Sequence, residues 1–239
     1  MTLDGTNTWL IGDLDAGEML IIDPGPLGGG HGRAIVAALQ ERNARAAAIL
    51  LTHGHADHSE GAAELAGILR CGVLALDPMQ RLGSEGLADG RLVAAGGVEL
   101  RVVATPGHTA DSLSFFLEQD RALLTGDTLL GRGTTVVAHP DGRLDDYLAS
   151  LQRLRVLALE HGAQRVLPGH GPALPDPVGL VEAYLEHRQA RLEQVRAALD
   201  AGARTAQDVV DAVYPDVPPD ARLAALLSVR AQLEYLQGG

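Results

Sequence analysis

Apolar and polar positions along this chain follow two periods. Short apolar runs closed by Gly, Pro or Asp read as strands: NTWLIG from Asn7, EMLIID from Glu18, AAAILLT from Ala46, GVLAL from Gly72, RLVAAGG from Arg91, VELRVVATPG from Val98, SLSFFLE from Ser112, RALLTGD from Arg121 and RVLPG from Arg165. Between them, helical periodicity predicts helices over Gly32 to Arg42, Glu60 to Leu69 and Leu144 to His161. Strands interleaved with helices predict an α/β fold. After PALPDPVG the character changes: from Val178 onward the chain is rich in Ala, Leu, Arg and Glu and predicts helix, broken only at YPDVPPD, Tyr214 to Asp220. A boundary near Pro175 to Pro177 gives an α/β domain, residues 1–176, and a small helical domain, residues 177–239.

Composition narrows the function classes. With 239 residues, the chain can bury roughly 70 to 75% of its unfolded surface and needs neither disulfide nor metal merely to fold. The formal net charge is -12, and every basic residue is arginine. The absence of lysine removes Schiff-base chemistry, and an acidic chain has no bulk attraction for nucleic acid or anionic membrane. The opening MTLDGTNTWLIGD has no basic leader, and no apolar run approaches the roughly 20 residues that cross a bilayer. A single cysteine, Cys71, forms no intrachain disulfide and reads as a small buried hydrophobe, so a cytoplasmic location is expected.

The stretch ILLTHGHADHSEGA, Ile49 to Ala62, crowds three histidines and an aspartate together behind an apolar run. An extended backbone points His53 and His55 to one side. Asp57 and His58 diverge at the start of the helix expected near Ser59. Asp57 followed by Glu60 is also consistent with a capping box, but three crowded imidazoles are explained as neutral metal ligands. The same layout recurs, with His108 after TPG, Asp127 after LLTG and His170 after VLPG. Each falls just past the carboxyl end of a strand, where α/β folds build their sites.

THGHADH, together with PGHT, GD and PGHG in that order, resembles the metal motifs of the metallo-β-lactamase superfamily. That resemblance, from Thr6 to about Pro175, implies two face-to-face sheets flanked by helices, an αβ/βα sandwich with metals at one edge. It implies two zinc ions: one on His53, His55 and His108, the other on Asp57, His58 and His170, with Asp127 between them. The implied chemistry is hydrolysis by a metal-bridging hydroxide, with Asp57 orienting it and handling its proton. Asp23 in LIIDPG is either a strand-end turn residue or a partner that orients a ligand.

GDTLLGRGTTVV and PGHGPALPDPVGLVEAYLEHRQARLEQV are similar to the branch holding β-lactamase-like endoribonucleases and polyketide-releasing thioesterases. That branch ends in a winged-helix-like domain, matching the helical tail. Two substrate classes follow: a small ester or thioester, or single-stranded RNA. The acidic, lysine-free composition favours the small acyl substrate, since RNA binding draws on phosphate contacts; Arg132, after Asp127, is the best placed arginine for RNA. A mononuclear-iron persulfide dioxygenase is a further alternative, opposed by the tail. A DNA-binding role is opposed by nine acids against six arginines from Val178 on. Arg188, Arg191 and Arg196 read as a solvated helix face and His187 as a surface residue. His31, His139 and His161 read as structural or exposed, and the helix around Tyr184 to Leu199 as a wall near the metal edge, whose removal after Asp176 alters substrate choice more than metal binding.

Overall fold

A computed structural model describes residues 5–28 and 30–238. Met1 to Asp4, where no basic leader is expected, lie outside the described residues, as does Gly239, the last residue of the expected tail domain. Two sheets stack face to face. The first joins β1 (Trp9–Ile11), β2 (Glu18–Ile22), β3 (Arg45–Leu50) and β4 (Gly72–Leu74) in that order, with β2, β3 and β4 parallel. The second runs β10 (Leu174–Pro175), β9 (Arg165–Pro168), β8 (Ala122–Gly126), β7 (Leu113–Leu117), β6 (Val98–Ala104) and β5 (Leu92–Ala95). Strand β10 is an addition to the expected set; its short pairing with β9 lies at the expected domain boundary.

The unbroken apolar runs have a simple cause: both faces of each sheet are covered. Leu20 and Ile22 of β2 face the interior of the sandwich with Phe115, Leu117 and Leu124. Met19 and Ile21 point the other way, onto α1 (His31–Glu41) and α3 (Ala62–Leu69), where Ile35, Leu39 and Leu65 meet them. On the opposite side, Val103, Phe116, Leu123 and Val166 are covered by Tyr147, Leu151 and Leu154 of α4 (Leu144–His161). Asp145 and Asp146 in its first turn suit the helix dipole, and Gly162 ends it in the left-handed conformation.

The helix expected from Glu60 starts at Ala62 and is preceded by a separate turn of helix. A single turn, α2 (Ala56–Ser59), precedes α3, so Asp57 and His58 lie within helix instead of before it. Asp57 therefore caps nothing; the N-cap of α2 is His55.

The tail forms α5 (Pro177–Asp200), α6 (Ala206–Val213) and α7 (Arg222–Gly238). Besides the expected break after Val213 there is another over 201–205, because Thr205 and Asp208 cap each other's backbone at the start of α6. Among the described residues no strand follows β10, and no helix is long and apolar enough to cross a membrane. Val195, Val209, Val210 and Val229 form a small core of the tail. However, Val181, Tyr184 and Leu192 of α5 and Ala231 of α7 belong to the core built on α4. The tail is therefore part of the core of the main domain as well as the expected wall beside it. Truncation after Asp176 should cost roughly 5 kcal/mol or more, from about 1.5–3 kcal/mol for each of three large buried side chains, comparable to the whole stability of a domain. Urea unfolding of the truncated protein checks this; an undiminished midpoint would show that α5 packs without stabilising.

Candidate metal centre

The site grows from the point where the two sheets meet. Asp23, just past β2 and itself at φ 52°, accepts hydrogen bonds from Thr52 N (2.8 Å) and Thr52 Oγ1 (2.6 Å). The carbonyl of Thr52 accepts from Leu113 N at 2.7 Å, tying the end of β3 to β7 across the sandwich. Gly126, at φ 48°, lies against Thr52 so closely that a Cβ would stand 2.7 Å from its side chain. Only glycine lets β8 approach here, and the next residue is Asp127.

Around this junction the predicted residues converge. His55 Nδ1 lies 3.1 Å from both His53 Nε2 and His108 Nε2. His58 Nε2 lies 3.3 Å from His170 Nε2, with Asp57 Oδ2 3.6 and 3.3 Å from the two. Asp127 stands between the sets: Oδ1 faces His58 at 3.4 Å, and Oδ2 faces His170 at 3.4 Å and His108 at 3.7 Å. A Cβ at Gly169 would press on Asp127 Oδ1 and His58, so the position before His170 admits no side chain.

The outward nitrogens of four imidazoles are occupied. His58 Nδ1 donates to Asp23 Oδ2 (2.8 Å), His108 Nδ1 to the Val136 carbonyl (2.7 Å) and His170 Nδ1 to the Gly5 carbonyl (2.9 Å). Thr52 spends its one hydroxyl proton on Asp23, so at 3.0 Å it accepts from His53 Nδ1. Each ring thus turns Nε2 inward, and a neutral ring presents a lone pair there. Asp23 is resolved as the partner that orients His58. Thr52 was missed, although a hydroxyl at the end of an apolar strand is a signal. Asn7 was missed as well: its side chain donates to the carbonyls of Pro168 and Gly171, fastening the His170 loop.

The residues fit metal ions. Three groups of converging ligand atoms, His53/His55/His108, His53/His58/Asp127 and Asp57/His58/His170, are each compact enough to share one ion. Asp127 Oδ1 is buried without a hydrogen-bond partner, a costly state for a carboxylate oxygen unless a cation faces it.

Charge divides the site. Burial, together with the nearby His58 and His108, holds the His53 pKa well below 6.5, and burial lowers that of His108 despite Asp127. Burial opposes charge on His58 too, but Asp23 and Asp127 outweigh it and push its pKa up to about 10. His170, against the same burial effect, is pushed to about 10 by Asp127 and Asp57. Burial also opposes ionisation of Asp127 and Asp57, yet the facing histidines hold both below the usual carboxylate range.

Arg188, expected on a solvated helix face, is instead buried. It is 5% exposed and stacks 4.9 Å from the Tyr147 ring centroid, because its position on α5 faces α4. Arg191 lies over Tyr214, Arg196 is exposed and His187 is half-buried. His31 bonds Thr8, while His139 and His161 face Glu234 and Glu118. Cys71 is half-buried against the α1 and α3 core. Arg132 is exposed on the loop after Asp127.

A two-sheet αβ/βα sandwich with histidines and aspartates gathered at one rim defines a class. Residues 1–78 and 80–170 match the metallo-beta-lactamase superfamily, and residues 205–238 match the beta-lactamase associated winged helix domain. The chain belongs to that superfamily and is a metal-dependent hydrolase. It is 37% identical to beta-lactamase-like protein 2 homolog of Caenorhabditis elegans over 98% of this chain and 79% of that one. It is 34% identical to atrochrysone carboxyl ACP thioesterase of Aspergillus fumigatus over 92% and 71%. A metallo-beta-lactamase family protein from Thermus thermophilus superposes with a TM-score of 0.80, at 26% identity, covering 98% of this chain and 88% of that one.

The facing carboxylates raise the proton affinity of His58 and His170 in the metal-free chain, so a cation that seats beside them must compete with protons. Because their folded values lie above 6.5, they stabilise the metal-free fold fully below pH 6.5, and this contribution is lost as pH rises through about 10. Calorimetric zinc titrations in buffers of different ionisation enthalpy should show proton release near neutral pH, with apparent affinity rising toward pH 10. Uptake without proton release would contradict the proton occupancy.

Proposed function

We propose that this chain is a two-zinc hydrolase of small esters or thioesters. His53, His55 and His108 hold one ion; Asp57, His58 and His170 hold the other; Asp127 serves both. The observation that carries this reading is the pair of triads with a shared carboxylate whose Oδ1 lacks a hydrogen-bond partner. Imidazole nitrogens with a few carboxylate oxygens suit zinc. When bound, two such ions would supply an acidified water and polarise the carbonyl oxygen of the acyl group whose carbon is attacked.

The chain's own residues do the rest. Asp57 stays ionised beside His170 and accepts from Thr6 Oγ1 at 3.4 Å, so its carboxylate is available to orient water and take up a proton. Asp23 and the Val136 carbonyl keep His58 and His108 in the tautomer that faces inward. We place the domain division at 176/177, where Asp176 caps α5 and Pro177 opens it, and the protein in the cytoplasm, on its lone cysteine.

Substrate charge separates the two hydrolytic readings. A cavity of about 590 Å³ beside His55 is lined by Asp77, Asp111 and Asp141 together with Leu76, Pro78 and Thr109, and by no arginine. Such a wall repels a phosphodiester backbone and admits an uncharged acyl group. The similarity to a protein named as a thioesterase supports the same choice.

Two outcomes are expected. Replacing His108 with alanine should remove one ion's third protein ligand, so elemental analysis should find close to one tightly held zinc per chain in the variant and two in the unchanged protein. One tightly bound iron in fully active protein would support the dioxygenase instead. In a panel of thioesters, esters, phosphodiesters and single-stranded RNA, a small neutral thioester should be the best substrate, nearly insensitive to moderate salt. Asp57→Ala should lower kcat about 100-fold or more. Salt-sensitive RNA cleavage, abolished by Asp57→Ala and weakened by Arg132→Ala, would reverse the ranking.

A further inference from the structure

The segment after Asp127 touches the centre at three of its residues. Thr135 Oγ1 donates to the carbonyl of Asp127 itself at 2.7 Å. The carbonyl of Val136 accepts from His108 Nδ1 at 2.7 Å. Gly131 N donates to the carbonyl of His170 at 2.8 Å. None of residues 128–136 belongs to a helix or strand, so their geometry is set by whatever holds them from outside.

What holds them is largely α5. Tyr184 Oη accepts from Leu130 N at 3.0 Å and donates to the Gly133 carbonyl at 3.1 Å. One turn further, Arg188 donates through Nη2 to the Thr135 carbonyl. From α4, Tyr147 Oη donates to the Thr128 carbonyl at 2.7 Å, and its ring lies under the Arg188 guanidinium.

Arg188 is a costly way to fill this space. It is buried, its Nε has no hydrogen-bond partner, and among the described residues no carboxylate forms an ion pair with it. A methionine of similar length would pack between α4 and α5 without desolvating a charge. What methionine lacks is a donor for Thr135. The same residue that receives Arg188 at its carbonyl reaches the backbone carbonyl of Asp127 through its hydroxyl, so the guanidinium is one residue removed from the backbone that carries the shared carboxylate and two contacts from His108.

We propose that Arg188 and Tyr184 are positioning residues of the metal centre, through which the first helix of the tail sets where Asp127 and His108 stand. This rests on reading those two residues as metal ligands. It gives the tail a role in the site itself, separate from its share in the core.

The test uses the full chain, with zinc(II) as the probe. Affinity is read by competition with a chelating indicator, and the thermal midpoint is measured on the metal-free protein. Arg188→Met should weaken zinc binding roughly 10- to 100-fold, the usual effect of removing a partner that orients ligands. Tyr184→Phe, which keeps the ring and removes only the hydroxyl, should shift affinity in the same direction by less and supplies the answer if Arg188→Met does not fold. Leu192→Ala, one turn beyond in the same core, should lower the midpoint and leave zinc affinity unchanged. Unchanged affinity in Arg188→Met and Tyr184→Phe would overturn the proposal, as would an equal loss in Leu192→Ala. Failure of the unchanged chain to take up zinc would instead overturn the metal-centre reading beneath it.

Discussion

Everything at the rim depends on the contact between Asp23 and Thr52. The carboxylate receives both the amide and the hydroxyl of Thr52, and the carbonyl of that residue receives an amide from the opposite sheet. One buried acid therefore holds the ends of two parallel strands, the entry into the histidine cluster and the closure of the sandwich. The remaining capacity of Asp23 goes to His58. Hydrogen bonds among buried polar groups are worth most when every partner is satisfied. Here they are used where the backbone leaves regular structure and has no ladder to satisfy it.

The same burial has opposite consequences in the two halves of the site. Around His53 and His108, desolvation and neighbouring imidazoles hold the rings neutral. Around His58 and His170, ionised carboxylates overcome desolvation and favour the protonated rings. One half is thus composed for a cation before it arrives, whereas the other must first give up protons. The two halves meet at Asp127, which is the reason that the placement of one carboxylate matters to both.

The tail illustrates why a helix can be visible in sequence and its function hidden. Alanine, leucine and charged residues in EHRQARLEQVR announce helix without announcing which face is covered. Arg188 and Arg196 have the same chemistry and opposite fates, one buried against Tyr147 and the other exposed, because α5 packs along α4 on one side only. The break at 201–205 is similarly local in origin yet hard to see, since Thr205 and Asp208 become a capping box only once the chain turns there.

Period and punctuation in the sequence determined the order of strands and helices, with α4 legible from Leu144 to His161. They also placed His53, His55, His108, Asp127 and His170 past strand ends, because a ligand following an apolar run needs no knowledge of neighbours to be located. What only the tertiary structure decided is which atoms face one another: that Asp57 lies in a helical turn and caps nothing, that Asp23 holds His58, that Thr52 joins the sheets, and that Arg188 reaches the loop behind Asp127. These are contacts between positions far apart in the chain, and side-chain direction across such separations is set by packing of sheet on sheet and helix on helix. No local pattern of residues carries that information.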